Sequence, residues 1–189
     1  MSGEELVVLL GDNGQEIGCR DKASVHTEQT PLHSAFSVFL FDGLGNMLVQ
    51  RRASSKKTWG GVWSNACCGH PAPGELLIDA AHRRLKQELG IEGIDLEVAL
   101  PDFRYKAKWK GVWENEICPV LIGCCPKGVL LSLNALEVST VEWVSWNRFV
   151  RGCSESGNCE YVHFSPWCKM EALLLAKSQV VEKMLKEAA

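Results

Sequence analysis

Short apolar runs separated by turn residues occupy the first quarter of the chain. Leu6–Leu10 is apolar and is followed by the turn sequence GDNG, which predicts a strand and a turn. Residues 35–42 and 47–50 form two further apolar runs, joined by a connection that contains two glycines and an asparagine. This arrangement is typical of a β-hairpin.

A helical period replaces this pattern in the middle of the chain. Apolar residues recur every fourth position from Leu77 to Leu89, and Gly90 follows, which predicts a helix over 75–89. Ser165 and Pro166 have the capping and first-turn chemistry of a helix that we expect to run to about residue 186. Further strands are predicted at 95–100, 103–109, 116–122 and 141–145, and the polar stretch 154–158 is predicted to be a loop.

The order of these elements predicts an α+β fold with a mixed sheet sandwiched by helices and a C-terminal helix. With 189 residues and no internal repeat, we expect one domain over 1–189. A composition of 46% hydrophobic and 23% charged residues with a net charge of -3 is ordinary for a globular protein and does not indicate a nucleic-acid partner.

The chain lacks an apolar segment of membrane-spanning length and opens without a basic, then apolar, secretory leader. Its nine cysteines are therefore interpreted as reduced thiols of a cytoplasmic protein without a membrane partner. The adjacent cysteine pairs 67–68 and 124–125 lack the spacing of a zinc ribbon. No sustained heptad pattern appears, so we expect a monomer.

Candidate chemistry concentrates in a few positions. Cys68 stands two residues before His70, and Glu114 and Glu116 would share one face of a strand because side chains alternate along it. Imidazoles and carboxylates bind divalent metals, and thiols and carboxylates transfer protons. These residues predict an enzyme with a metal–carboxylate site and a nearby cysteine.

The helix predicted at 75–89 resembles the signature helix of the Nudix family. The matching positions are Gly69, Glu75, Arg83, Leu85, Glu88, Gly90 and Ile91. Arg84 and Gln87 stand where that pattern has two acids, which removes charge that the hydrolases use to hold metal ions. A plain amphipathic helix with an Arg84–Glu88 ion pair is the alternative interpretation of this segment alone.

The surrounding residues resemble a narrower family with a Nudix-like fold, the type I isopentenyl-diphosphate delta-isomerases. The matching segments are 26–33, 51–57, 59–71, 101–105, 114–119 and 164–167, in the expected order. The resemblance implies a metal-dependent isomerase of isoprenoid biosynthesis that interconverts isopentenyl and dimethylallyl diphosphate, a small-molecule diphosphate pair. This redox-neutral reaction needs no nicotinamide or flavin.

The resemblance also implies roles for individual residues. Glu116, aided by Tyr105, would deliver a proton, Cys68 would remove one, and Trp167 would stabilise a cation through its π face. The implied ligands of one divalent ion (Mg, Mn or Zn) are His26, His33, His70, Glu114 and Glu116. Glu88 would carry a Mg ion on the diphosphate, and the implied diphosphate contacts are Lys22, Arg52, Lys56 and Arg84.

Three other functions remain open at this point. A Nudix pyrophosphohydrolase would release phosphate, although Arg84 and Gln87 replace its acids. A non-catalytic Nudix-like binding module would have no use for Cys68 and Glu116 together. A cysteine hydrolase using Cys68 would need an acyl substrate and an oriented base. Cys67 is expected to point away from Cys68 if this segment is extended.

Overall fold

A computed structural model describes residues 5–126, 128–154 and 160–187. The strands are β1 (Leu6–Leu10), β2 (Glu16–Asp21), β3 (His33–Ser34), β4 (Phe36–Phe41), β5 (Asn46–Arg52), β6 (Trp63–Asn65), β7 (Cys67–Gly69), β8 (Leu96–Leu100), β9 (Arg104–Trp109), β10 (Val112–Ile117), β11 (Val120–Cys124) and β12 (Val138–Ser145). The helices are α1 (Lys22–Val25), α2 (Leu77–Leu89), α3 (Trp146–Ser154), α4 (Pro166–Leu175) and α5 (Gln179–Glu187).

The strands form two mixed sheets. One has the order β2-β1-β3-β10-β9, and the other has the order β12-β5-β4-β11-β8, with β6 paired to β5 and β7 paired to β4. Parallel pairing joins β3 to β10 and β4 to β11, whereas the remaining pairs are antiparallel. A mixed sheet of this kind needs helices on its faces because its central strands are apolar on both sides.

Strand β4 is buried on both faces, which explains why its sequence, apart from Ser37, is apolar without alternation. Its residues Phe36, Val38 and Leu40 pack with the apolar stripe of α2. Phe39 and Phe41 belong to a second cluster on the other face, with residues of α3, α4, β9 and β11. The predicted α+β architecture, a mixed sheet between helices with a C-terminal helix, is therefore confirmed.

Two local predictions are confirmed closely. The hairpin joins β4 to β5, which pair antiparallel at Phe41 and Met47. Helix α2 begins two residues later than predicted and ends where expected, at Leu89. Gly90 has a left-handed backbone with φ 70°, and its N–H donates to carbonyls of the last turn, which is how glycine ends helices.

The single strand predicted at 116–122 is wrong, because the structure has two strands there, β10 and β11. Pro119 separates them, and proline cannot donate a ladder hydrogen bond. At this point the chain leaves one sheet and enters the other. Between the two strands, the N–H of Cys118 donates to the carbonyl of Phe103 at 2.8 Å. The break is visible as a proline in the sequence, but the change of sheet is not.

The single C-terminal helix predicted at 165–186 is also wrong, although its start is right. Ser165 caps α4 by accepting from the N–H of Cys168, but this helix ends at Leu175. The Ser178 hydroxyl accepts from the N–H of Val180 and caps a separate helix, α5. The serine interrupts an otherwise continuous helical pattern because its side chain competes for the backbone.

Several short elements escaped the prediction, namely β2, α1, β3, β6, β7 and α3. Of the loop predicted at 154–158, Ser154 is the last residue of α3, and 155–158 lie outside the described residues. Within the described part of the chain, no helix is both long and apolar enough to cross a bilayer.

Candidate active site

A cavity of about 730 Å³ opens where β7, β9, β10 and the start of α4 meet, within the size range of small-molecule sites. The predicted site residues that line it are Lys22, His26, Arg52, Lys56, Cys68, His70, Arg84, Tyr105, Glu114, Glu116 and Trp167. His33 lies fully buried in the wall behind it, within hydrogen-bonding distance of Glu116. Glu88 is the one predicted site residue that neither lines the cavity nor touches its histidines.

The three histidines come from separate elements and meet through sheet pairing. His33 in β3 lies opposite Glu116 in the parallel β10, His26 follows α1, and His70 follows β7. The three imidazole centroids lie 5.2 to 5.7 Å apart. Ligand atoms of these histidines and of Glu116 all lie within 4.8 Å of one another.

This donor set suits a divalent ion. The carbonyl of Pro31 lies 2.9 Å from Nδ1 of His33, which orients the ring so that Nε2 faces Glu116 Oε1 at 3.2 Å. His70 Nε2 faces the same oxygen at 3.3 Å. Lone pairs that converge in this way repel unless a proton or a cation lies between them. Ligand atoms on opposite sides of a bound metal lie about 4.2 Å apart, which is close to the largest separation within this group of four.

Glu114 lies beside this group of four, next to His26. Its Oε2 lies 2.9 Å from His26 Nε2 without the alignment of a hydrogen bond, and its Oε1 accepts from the indole N–H of Trp59 at 3.1 Å. Glu114 and Glu116 do share one face of β10, as their spacing predicted, and both are buried. One carboxylate oxygen thus remains directed at the histidines.

Burial and pairing perturb these groups strongly. Burial lowers the pKa of His70 to about 4, which leaves a neutral imidazole of the kind that binds metals. Burial alone would raise the pKa of Glu116, but the close contacts of its Oε1 with Nε2 of His33 and of His70 hold it well below its usual range. Burial raises the pKa of Glu114, which has fewer partners. A cation bound beside these two carboxylates would favour their ionised forms.

The thiol of Cys68 enters the cavity from β7. Its Sγ lies 3.3 Å from Asn65 Oδ1 and 3.5 Å from the Ser37 hydroxyl. Burial, followed by the proximity of Glu171, raises its pKa to about 12. Cys67 is fully buried on the opposite face, against the α2 side of the core, as the alternation of strand side chains predicted.

The Tyr105 hydroxyl donates to Glu116 Oε2 at 2.7 Å, and burial raises the pKa of this phenol well above its ordinary value. Trp167 covers Tyr105 with its ring stacked at a centroid distance of 5.4 Å, and Trp59 meets Trp167 edge-on at 4.8 Å. A carboxylate, its hydrogen-bond donor and an aromatic wall therefore lie side by side in one part of the cavity.

Five lysine and arginine side chains line the same cavity, Lys57 among them, and acids hold three of the five. Lys22 lies 2.7 Å from Glu5, and Lys56 lies 2.7 Å from Glu137. Arg84 contacts Glu137 at 3.2 Å, whereas the buried Nε of Arg52 has no hydrogen-bond partner. An anionic group that enters the cavity could bind the unpaired Nε of Arg52 directly. To bind Lys22, Lys56 or Arg84, it would first have to displace the carboxylates that hold them.

The two acids of the Nudix pattern that this chain has, Glu75 and Glu88, are each paired with an arginine. Glu88 is buried and paired with Arg84, and it also accepts from the Gln50 amide at 2.9 Å. A guanidinium thus occupies the side of Glu88 where a metal-binding acid would stand. Glu75 accepts two hydrogen bonds from Arg83, each 2.7 Å long. Glu88 would have to exchange Arg84 for Mg²⁺ before it could take part in binding.

The sequence prediction missed four residues that shape the site: Trp59, Ser37, Glu137 and Glu171. Ser37 carries a readable signal as the one polar residue in an otherwise apolar strand. Glu171 carries a similar signal as an acid on the apolar side of the last helices. Trp59 and Glu137 show none, since their partners lie 55 and 53 residues away along the chain.

Comparison with known proteins first identifies the fold of this chain. Residues 31–179 match the NUDIX domain. A crystal structure of a Deinococcus radiodurans protein superposes with a TM-score of 0.66 at 15% identity, covering 93% of this chain and 99% of that one. The chain is therefore a protein of the Nudix fold.

Relatives with higher sequence identity identify the family within this fold. A Rhizobium rhizogenes isopentenyl-diphosphate Delta-isomerase is 47% identical over 174 residues, which cover 91% of this chain and 80% of that protein. The Clavibacter michiganensis subsp. michiganensis protein of the same name is 45% identical and covers 98% and 93% of the two chains. This chain belongs to the isopentenyl-diphosphate Delta-isomerase family.

Proposed function

We propose that the chain interconverts isopentenyl and dimethylallyl diphosphate by adding a proton at one carbon and removing one from another. The observation that carries this proposal is the meeting of Cys68 with the Glu116–Tyr105 pair in one cavity walled by Trp167. The activity named for relatives that share close to half of their residues with the chain supports the same conclusion.

The reaction needs two proton-transfer groups and a dry enclosure. The forward direction needs Glu116 protonated and Cys68 ionised, the opposite of the states that their pKa shifts favour, so a proton must first pass from the Cys68 thiol to Glu116. Glu116, with Tyr105 donating to it, then gives a proton to the terminal methylene carbon of isopentenyl diphosphate. The tertiary cation that results lies against the π face of Trp167. Cys68 then takes a proton from the carbon next to the diphosphate-bearing one, which forms the new double bond. The reverse reaction exchanges the two roles.

The diphosphate is held by the cationic end of the cavity. Arg52 has a buried donor without a partner, and Lys56, Lys22 and Arg84 line the same cavity. Charge-assisted hydrogen bonds to phosphate are stronger than neutral ones, so they would displace Glu137 from Lys56. Binding energy from this remote group fixes the hydrocarbon end between the two proton-transfer groups.

We further propose that His26, His33, His70, Glu114 and Glu116 hold one divalent ion, with Mg²⁺, Mn²⁺ and Zn²⁺ as candidates. When bound, the ion would supply positive charge that neutralises the two carboxylates and tunes the acidity of Glu116. Because the reaction depends on a reduced thiol, we propose that the chain works in the cytoplasm. We also propose that it is a single domain and a monomer.

Incubation with isopentenyl diphosphate and Mg²⁺ or Mn²⁺ in deuterated water tests the proposal. Deuterium should enter the recovered dimethylallyl diphosphate, and Cys68→Ala and Glu116→Gln should each abolish this incorporation. Cys67→Ala is the matched thiol control and should retain activity. Release of inorganic phosphate without an allylic product would instead establish a hydrolase, and equal losses in both cysteine variants would overturn the choice of Cys68.

A further inference from the structure

A polar network lies beneath Cys68, on the side away from the cavity. Ser37 is the one polar residue of β4, is fully buried, and pairs with Cys68 in the strand register. Its hydroxyl oxygen lies 3.5 Å from Cys68 Sγ and also 3.5 Å from Cys118 Sγ. Because a serine hydroxyl carries one hydrogen, Ser37 can donate to only one of the two sulfurs at a time.

Glu171 of α4 completes this network. Its side chain is fully buried, Oε1 lies 4.0 Å from Cys118 Sγ, and Oε2 has no hydrogen-bond partner. In the described part of the chain, the polar groups that act on it are Ser37, Cys68, Cys118, Cys168 and Glu116, and none of them is cationic. Burial raises the pKa of this carboxyl to about 8, so it is protonated at neutral pH.

A buried acid without a cation lowers stability relative to an apolar side chain of similar size. The neighbours of Glu171 along the same helix face, Trp167, Cys168, Ala172 and Leu175, belong to the apolar core. A leucine would suit this environment better than a glutamic acid. The position therefore calls for an explanation other than packing.

The arrangement of Glu171, Cys118 and Ser37 supplies an explanation for the glutamate. The Cys118 thiol can donate to Glu171 Oε1 at 4.0 Å, and because a protonated carboxyl also carries one hydrogen, Glu171 can instead donate to the Cys118 sulfur. Cys118 then donates its own hydrogen to the Ser37 oxygen, and the Ser37 hydrogen is left to point at Cys68. Without a donor at position 171, the two arrangements of the Ser37 hydroxyl become equivalent, because its two sulfur neighbours are equally distant.

The opposite side of Cys68 is already fixed. The Asn65 amide nitrogen donates to the carbonyls of Val38 and Cys67 at 3.0 and 2.9 Å, which directs its Oδ1 towards the Cys68 sulfur as an acceptor. A donor from Ser37 and an acceptor from Asn65 together define one orientation of the Cys68 thiol. Losing either would remove one of the contacts that hold this orientation.

We propose that Glu171 is a positioning residue for Cys68, acting through Cys118 and Ser37 to hold this thiol in its working orientation in the cavity. The proposal rests on the proposed isomerase function of the same site. It assigns Glu171 no contact with substrate.

The test compares Glu171→Leu, Glu171→Gln and Ser37→Ala, with Leu175→Val as a core control on the same helix. Glu171→Leu should lower kcat about tenfold, the value of one lost hydrogen bond, and leave KM within about twofold. Glu171→Gln should retain most of the activity because its amide also donates. The double variant Ser37→Ala/Glu171→Leu should fall no further than Ser37→Ala alone, since both act through one path.

Three results would overturn the proposal. They are an unchanged kcat in Glu171→Leu, independent multiplication of the two losses in the double variant, and a loss in Glu171→Gln as large as that in Glu171→Leu. Should Glu171→Leu fail to fold, the pair Glu171→Gln and Ser37→Ala decides: retained kcat in the first with a loss in the second supports the path, and any other pairing contradicts it.

A second readout does not depend on isomerase activity. Alkylation of Cys68 by iodoacetamide at pH 7 can be followed by peptide mass spectrometry, with the exposed Cys19 as an internal reference. The Cys68 rate should fall several-fold relative to Cys19 in Ser37→Ala, which removes a hydrogen bond that stabilises the thiolate, and by less in Glu171→Leu, which also removes a nearby acid that raises the pKa of the thiol. It should not fall in Glu171→Gln or Leu175→Val. Equal rates in all variants would refute the positioning role even if the wild-type chain proved to have no isomerase activity.

Discussion

Tyr105→Phe isolates one hydrogen bond at the centre of the site. The tyrosine ring is buried between Phe103 and Trp167, at centroid distances of 5.8 and 5.4 Å, and phenylalanine preserves both stacking contacts. What disappears is a single O–H that donates to Glu116 Oε2 at 2.7 Å. The substitution therefore changes the acid without opening the cavity.

The magnitude follows from the kind of bond. A hydrogen bond to a charged group contributes about 1.5–3 kcal/mol, and leaving a buried carboxylate oxygen unpaired costs a similar amount. If the bond matters when Glu116 transfers its proton, kcat should fall about 10- to 150-fold. KM should change little, because Tyr105 has no contact with the cations that would hold the diphosphate.

The assay is steady-state conversion of isopentenyl diphosphate, with kcat and KM measured separately. Tyr161→Phe is the matched control, because the only other tyrosine of the chain packs on Phe149 and Phe164 and does not line the cavity. A loss below threefold in Tyr105→Phe, or a rise in KM at constant kcat, would refute the role given to this hydroxyl.

Further predictions concern the cations, the metal and a surface ion pair. Lys56→Ala should raise KM about tenfold or more with a smaller change in kcat, because it removes one charge-assisted contact to phosphate. His33→Ala should lower the metal content measured by elemental analysis well below one ion per chain, whereas His82→Ala should not. The Arg83 guanidinium holds the pKa of Glu75 below its usual value, so their bond stabilises the fold above about pH 4.5 and is lost as the pH falls through the lower folded-state pKa. Glu75→Gln should accordingly lower Tm at pH 7, and this difference should shrink below about pH 4.5; a constant difference would contradict the assignment.

Local patterns along the chain predicted those parts of the fold that depend on neighbouring residues. The period of α2 and its glycine stop were readable because a helix buries one face and needs a left-handed residue to end. The two wrong elements failed where local patterns continued through a break. Pro119 sits inside an apolar stretch that spans two sheets, and Ser178 caps a new helix within a helical pattern.

Most, but not all, of the predicted site residues lie where the sequence led us to expect. The residues of the conspicuous motifs Cys-Gly-His and Glu-Asn-Glu do converge on one cavity, and the two glutamates share a strand face as their spacing required. Glu88 differs, because its partner is a guanidinium and its carboxylate does not reach the cavity. That outcome could not be read from the spacing along α2, since Arg84 could have turned towards solvent instead.

The amino-acid sequence by itself determined which groups were available and which faces had to be buried: alternation separated Cys67 from Cys68, and period two placed Glu114 beside Glu116. Only the tertiary structure decided the distances between them. Parallel pairing of β3 with β10 brings His33 opposite Glu116 from 83 residues away, and packing of α4 sets Glu171 beneath the thiol. The physical reason is that local periodicity fixes the direction of a side chain, whereas its partners depend on sheet order and helix packing, which the whole chain settles together.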